Sequence, residues 1–178
     1  MPFVNVKQSS SIYIGEYPFH QQLKDDLVPL LEDYPDIQKK ETNVKATMTE
    51  WFWQHDNSKV KNLKRYFITL VYNKFQYGDI GCVKSFLVFK EFWANVYRKG
   101  EYTDSHSHRT NWFSIVYFLK SKWYYPPLVF TNTRQKIRPK EGTYVIFPSY
   151  LKHHVPKHQY NDTRMTLSGN LDLKEEES

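Results

Sequence analysis

The chain predicts a mainly β fold, a sandwich or barrel of short strands supported by N-terminal helices, and three observations predict it. From Val83 onward, runs rich in Val, Ile, Phe, Tyr and Trp recur at short intervals, at 83–89, 92–98, 112–119, 123–130, 143–147 and 164–171, and short β-prone runs so spaced belong to sandwiches and barrels. Helical periodicity is confined to the stretch before residue 76. The 178 residues, 40% apolar and 17% aromatic, supply one sizeable core and little room for a second. The expected organisation is therefore a single domain over 1–178, with strands and supporting helices in 1–82, a barrel core in 83–172 and an acidic tail in 173–178.

Taken in order, Phe3-Val4-Asn5-Val6 and Ser11-Ile12-Tyr13-Ile14 alternate as strands do. From His20 to Tyr34, Leu23, Leu27, Leu30 and Leu31 fall on one helical face, with Pro29 expected to weaken or kink the helix. Asn43 to Trp53 returns to strand-like alternation. Asn57 is placed to cap a second helix running to about Phe75, because Gly78 and Gly81 are the next strong breakers. Lys59, Lys61, Lys64 and Arg65 on that helix read as a solvated face or as a phosphate-binding patch.

Several classes are excluded. No stretch approaches the roughly eighteen consecutive apolar residues of a membrane-spanning helix, and Met-Pro-Phe-Val-Asn-Val lacks the pattern of a secretory signal. The single cysteine, Cys82, forms no internal disulfide and no cysteine-based zinc site, which fits a reducing, cytoplasmic setting. A formal charge of +6 is a modest excess that by itself assigns no nucleic-acid partner.

The histidines carry the chemistry. Five of the seven lie between positions 106 and 158. His106 and His108 are one residue apart, so at a strand end both imidazoles point to the same side and can share a cation. A third donor must come from a distant segment, and His153-His154 follows directly on the strand-like run 143–147. Neutral imidazoles suit iron(II), copper, nickel and zinc, and three of them leave coordination positions open.

The flanks read Asn95-x-Tyr97-x-x-Gly100-x5-His106-x-His108, then Gly142-x5-Pro148-x4-His153 and Arg164-x-Thr166. This pattern resembles the 2-oxoglutarate/iron(II)-dependent oxygenases, with His108 standing where that family carries the Asp of its His-x-Asp pair. The stretch from about 90 to 172 is most similar to the oxygenases of this kind common in bacteriophage genomes. The resemblance implies a double-stranded β-helix, a jelly-roll or cupin-like barrel, and a hydroxylation, or an oxidative demethylation that begins with one, coupled to conversion of 2-oxoglutarate to succinate and CO2. It implies Fe(II) held by His106, His108 and His153. It also implies 2-oxoglutarate held by Arg164, with Asn95, Tyr97 and Thr166 contributing to the same cavity. Two alternatives stay open at the third ligand: all three histidines bind iron, or His106 and His153 bind it while water or chloride takes the third position and His108 turns aside.

The primary substrate, whether small molecule, protein or nucleic acid, is not specified by any motif. Two other readings compete with the 2-oxoglutarate oxygenase. The spacing Gly100-x5-His106-x-His108 with Gly142-x5-Pro148-x4-His153 is similar to a cupin, which implies a three-histidine dioxygenase that does not use 2-oxoglutarate, although Tyr150 and Lys157 depart from that pattern. A non-catalytic barrel binding nucleic acid or a protein would use Trp51, Trp53, Trp112, Trp123, Tyr124 and Tyr125 as stacking faces, but most of these rings are expected in the core.

Overall fold

Arg164-Met165-Thr166-Leu167-Ser168-Gly169-Asn170-Leu171 alternates polar with apolar or small residues, and a strand sends the two sets to opposite faces. That alternation organises the molecule. The computed structural model describes residues 10–35, 42–75 and 87–174. Its elements are β1 (Tyr13–Glu16), α1 (His20–Glu32), β2 (Val44–Lys45), β3 (Thr47–Met48), α2 (Ser58–Phe75), β4 (Leu87–Tyr97), β5 (Tyr102–His106), β6 (Phe113–Lys120), β7 (Leu128–Phe130), β8 (Lys136–Ile137), β9 (Thr143–Pro148), β10 (His153–Val155) and β11 (Arg164–Leu173). A six-stranded sheet runs β1-β9-β6-β11-β4-β3 and a five-stranded sheet β2-β5-β10-β7-β8, with every pairing antiparallel.

The six-stranded sheet is buried on both sides. Met165, Leu167 and Leu171 of β11 join Phe92, Ala94 and Val96 of β4 and Ile115 and Tyr117 of β6 in a core shared with Leu23, Leu27 and Leu31 of α1 and Val60, Leu63 and Phe67 of α2. Each such burial stabilises the fold by roughly 1.5–3 kcal/mol. Packing on this scale carries α1 through Pro29 without ending it. On the other face Tyr97, Val116, Phe118, Val145 and Phe147 meet Leu128, Phe130, Ile137 and Val155 of the five-stranded sheet. The polar set of β11, Arg164, Thr166, Ser168 and Asn170, is buried on this inter-sheet side.

The side-chain carbonyl of Asn57 accepts the backbone N–H groups of Lys59 at 2.9 Å and Val60 at 3.2 Å, the cap that the sequence predicts for α2. Asn57→Ala is expected to cost about 1 kcal/mol, read as a lower denaturant midpoint with unchanged slope. The basic residues of α2 are largely engaged: Lys59 pairs with Asp26 at 2.6 Å, Lys61 with Asp56 at 3.2 Å, and Lys64 lies 4.7 Å from the Phe92 ring centroid. No helix among the described residues is long and apolar enough to cross a membrane.

The structure departs from the sequence reading at several elements. The runs at 83–89 and 92–98 form one strand from Leu87, residues 83–86 lying outside the described ones. Within 123–130 only Leu128–Phe130 pairs, because Pro126 and Pro127 have no N–H for a ladder. β5 and β10 carry too little apolar alternation to be read as strands. Asn43–Trp53 yields two strands of two residues each, and Trp51 onward is turn. Trp53 and Tyr125 are core residues, but Trp51, Trp112, Trp123 and Tyr124 are exposed; all six lie outside the strands, so strand alternation does not decide which of them are buried. The Phe3–Val6 run, Cys82, the two glycine breakers and the last four acidic-tail residues lie outside the described residues.

Candidate metal centre

Gly100, at φ +90, turns the chain from β4 into β5. β5 then ends on His106, with His108 two residues beyond. β10 opens on His153, and the β5–β10 register sets His153 directly opposite His106. Ring centroids are 4.4 Å apart for His106 and His153, 4.8 Å for His106 and His108, and 5.5 Å for His108 and His153. One potential ligand nitrogen from each lies within 4.8 Å of the others. His154, on the other face of its strand, instead places Nδ1 3.1 Å from Thr131 Oγ1.

Backbone carbonyls orient two of these rings. His106 Nδ1 donates to the Asp104 carbonyl at 2.8 Å and His153 Nδ1 donates to the Leu151 carbonyl at 2.9 Å. With the proton held on Nδ1, the Nε2 lone pair of each is free for a cation, the usual way a protein presets a ligating imidazole. Burial favours the neutral form of all three: it pushes His106 below the ordinary imidazole range against the opposing carbonyl and charge of Asp104, His108 down to about 4 with His106 adding to the effect, and His153 down to about 3 with the other imidazoles adding and the Leu151 carbonyl opposing.

This sets a sign for pH. Unfolded histidines titrate near 6.5, so from there down to the folded values the unfolded chain binds protons that the fold refuses. Stability of the metal-free protein therefore falls as pH drops through that window. At pH 5 the His153 contribution lost is about 2 kcal/mol. Urea midpoints at pH 7.5 and pH 5 check this, and His153→Gln is expected to reduce the difference.

The pocket behind the imidazoles runs between the sheets and holds a cavity of about 40 Å³. Arg164 is wholly buried along it. One guanidinium nitrogen donates to the Pro126 carbonyl at 2.8 Å, and the group lies 5.3 Å from the Tyr97 ring centroid and 5.5 Å from that of Phe118. Its Nε and second terminal nitrogen are buried without a hydrogen-bond partner. Burial without a carboxylate lowers its pKa to about 10. A buried cation with two idle donors in a fixed fork is what a dicarboxylate ligand requires of a protein.

Asn95, Tyr97 and Thr166 all line the same pocket. Asn95 Nδ2 donates to Thr166 Oγ1 at 3.3 Å and Ser168 Oγ at 3.2 Å, while its Oδ1 accepts from Trp93 Nε1 at 3.0 Å. Tyr97 and Thr103 share a hydrogen bond of 2.8 Å between hydroxyls. These groups are thus satisfied within the fold as well as exposed to the pocket. Sequence reasoning missed Glu91 and the role of Asn170, which donates to Glu91 Oε2 at 2.5 Å and lies against His108. The signal was the inward polar row of β11, of which Asn170 is the last member.

Residues 130–170, which carry His153 and Arg164, match the family model described as "Putative 2OG-Fe(II) oxygenase". No curated protein sequence matches the chain. Among solved structures, a Pseudomonas putida prolyl-4-hydroxylase aligns with TM-score 0.72 at 15% identity over 94% of this chain and 95% of its own. The viral collagen prolyl hydroxylase of Paramecium bursaria Chlorella virus-1, in complex with 2OG, aligns with TM-score 0.67 at 14% identity over 89% and 95%. The non-heme alpha-ketoglutarate-dependent epimerase SnoN of nogalamycin biosynthesis aligns with TM-score 0.69 at 8% identity over 92% and 76%. The fold is the double-stranded β-helix of these enzymes, and the family match falls on residues 130–170 of it. Fe(II) and 2-oxoglutarate are the cofactors of that family.

Proposed function

We propose that the protein hydroxylates a C–H bond of a separate primary substrate while 2-oxoglutarate is converted to succinate and CO2, with iron in the imidazole pocket and the cosubstrate behind it. The observation that carries this reading is Arg164, a buried guanidinium with two unpartnered donors in the pocket that the three imidazoles also line. A cupin dioxygenase working without a dicarboxylate would leave that charge with nothing to neutralise it.

The residues present fit the cofactors. His106 and His153 offer Nε2 lone pairs, and His108 forms the third corner of the metal pocket. When bound, iron together with 2-oxoglutarate and dioxygen supplies the oxidising power for the C–H bond. The protein's own work is placement. Arg164 binds the distal carboxylate through its free donors, and Thr166, Asn95 and Tyr97 give the pocket wall polar groups beside it. Leu128, Phe147 and Val155 keep the opposite wall apolar, which excludes water and strengthens the ion pair.

Since two of the structural neighbours are named prolyl hydroxylases, a proline-rich peptide is the first primary substrate to offer. Oxidative removal of an N-methyl group would start from the same hydroxylation. With the iron-loaded protein, NMR is expected to show 2-oxoglutarate converted to succinate in step with product formation on the substrate. Oxygen consumption with no succinate formed would favour the cupin reading.

A further inference from the structure

We infer that His108 faces the metal as an N–H donor and not as a ligand, held in that state by Asn170 and Glu91, so that an exchangeable water or small anion completes the third position. This rests on the reading of His106 and His153 as ligands and sharpens it.

The three imidazoles are not equivalent. His106 and His153 each spend the Nδ1 proton on a backbone carbonyl. His108 Nδ1 instead faces an amide nitrogen, Asn170 Nδ2, at 3.3 Å. The orientation of that amide is fixed from two sides. Glu91 Oε2 stands 2.5 Å from the same nitrogen, and a carboxylate only accepts. On its other side Asn170 Oδ1 accepts the Ser114 hydroxyl at 2.8 Å, which is itself 2.8 Å from Ser149 Oγ.

Asn170 is completely buried, and turning its amide over would aim its carbonyl at the Glu91 carboxylate while giving up the Ser114 bond. The backbone of His108 is anchored as well, its N–H donating to the Ser149 carbonyl at 2.8 Å. Nδ1 of His108 is therefore an acceptor, and a neutral imidazole that accepts at Nδ1 carries its proton on Nε2. A protonated nitrogen has no lone pair for a metal, yet it is well placed to donate to an anion or water bound there.

Two neutral imidazoles leave the full dication, which favours an anion from solution at the vacant corner, and the His108 N–H would steady it. Glu91 supplies the nearby negative charge that keeps Asn170, and through it His108, in this arrangement. Glu91 and Asn170 act as positioning residues.

Nitrogen-15 NMR of histidine-labelled, zinc(II)-loaded full-length protein reads each tautomer directly. The expected result is zinc-bound Nε2 for His106 and His153, with Nε2–H retained in His108. A zinc-bound nitrogen on His108 would overturn the inference. Cobalt(II) affinity and its visible spectrum give a second test. His108→Gln is expected to keep the wild-type dissociation constant within roughly threefold, and weakening as large as that in His153→Ala would overturn the inference. Glu91→Leu frees the Asn170 amide to turn and is expected to tighten cobalt binding several-fold, a gain that His108→Gln then removes; unchanged affinity in Glu91→Leu would overturn the role given to Glu91. Wild-type affinity in His106→Ala would instead remove the underlying metal site.

Discussion

Replacing His153 by alanine is expected to lower iron(II) affinity by at least about 100-fold and to abolish turnover, and His106→Ala is expected to do the same. Both side chains reach the pocket from paired strands, and both spend their Nδ1 protons on backbone carbonyls, so the fold has already met the cost of aligning them. His153 has a second role, since its ring packs 4.8 Å from Phe147 and only 5% of its surface is exposed. Its loss should therefore also lower the thermal midpoint of the metal-free protein, whereas loss of His106 should affect metal binding with less effect on stability. Calorimetric titration with iron(II) under nitrogen, together with a melting curve of each apo variant, separates the two effects. Wild-type metal affinity in both variants would remove the proposed centre.

The second large effect falls on Arg164. Arg164→Met is expected to raise the 2-oxoglutarate concentration needed for half-maximal turnover by about 100-fold, the loss of one buried charge-assisted pair of 2–3 kcal/mol, with iron affinity kept. Discrimination should collapse as well: the wild type is expected to prefer 2-oxoglutarate strongly over pyruvate, which lacks the distal carboxylate, and Arg164→Met to treat them nearly alike. Stability should move the other way. In the metal-free protein the guanidinium is buried with one hydrogen bond and two ring contacts in place of an anion, and methionine fills similar volume without the desolvation cost. The variant is expected to be more stable by about 1–3 kcal/mol, read as a higher denaturant midpoint. A large destabilisation would mean that Arg164 serves the fold before it serves a ligand.

Much of this site was legible because it is built from periodicity. His106 and His108 share a side through the two-residue repeat of extended chain, and Arg164 and Thr166 face one side of their strand for the same reason. The helices were legible in Leu23, Leu27 and Leu31 and in the Asn57 cap. What escaped was whatever depends on partners distant in sequence. β5, reading Tyr-Thr-Asp-Ser-His, and β10, only three residues long, are strands because each other's backbones and those of β2 and β7 pair with them. The Glu91–Asn170–His108 contact joins residues up to 79 positions apart. Trp51, Trp112 and Trp123 are exposed while Trp53 and Tyr125, also outside the strands, are buried, because in a turn the burial of a ring is set by tertiary packing that aromatic content does not report.

One ligand is expected to span the imidazole pocket and Arg164. Anaerobic titration of the iron(II)-loaded protein with 2-oxoglutarate, followed by the visible charge-transfer absorption of a 2-oxo acid chelated to iron(II), tests it most directly. The expected result is one equivalent bound to wild type, no absorption in His153→Ala, and in Arg164→Met the same absorption reached only at far higher 2-oxoglutarate. Equal affinity in wild type and Arg164→Met would contradict it, because the metal and the guanidinium would then not hold opposite ends of the same molecule.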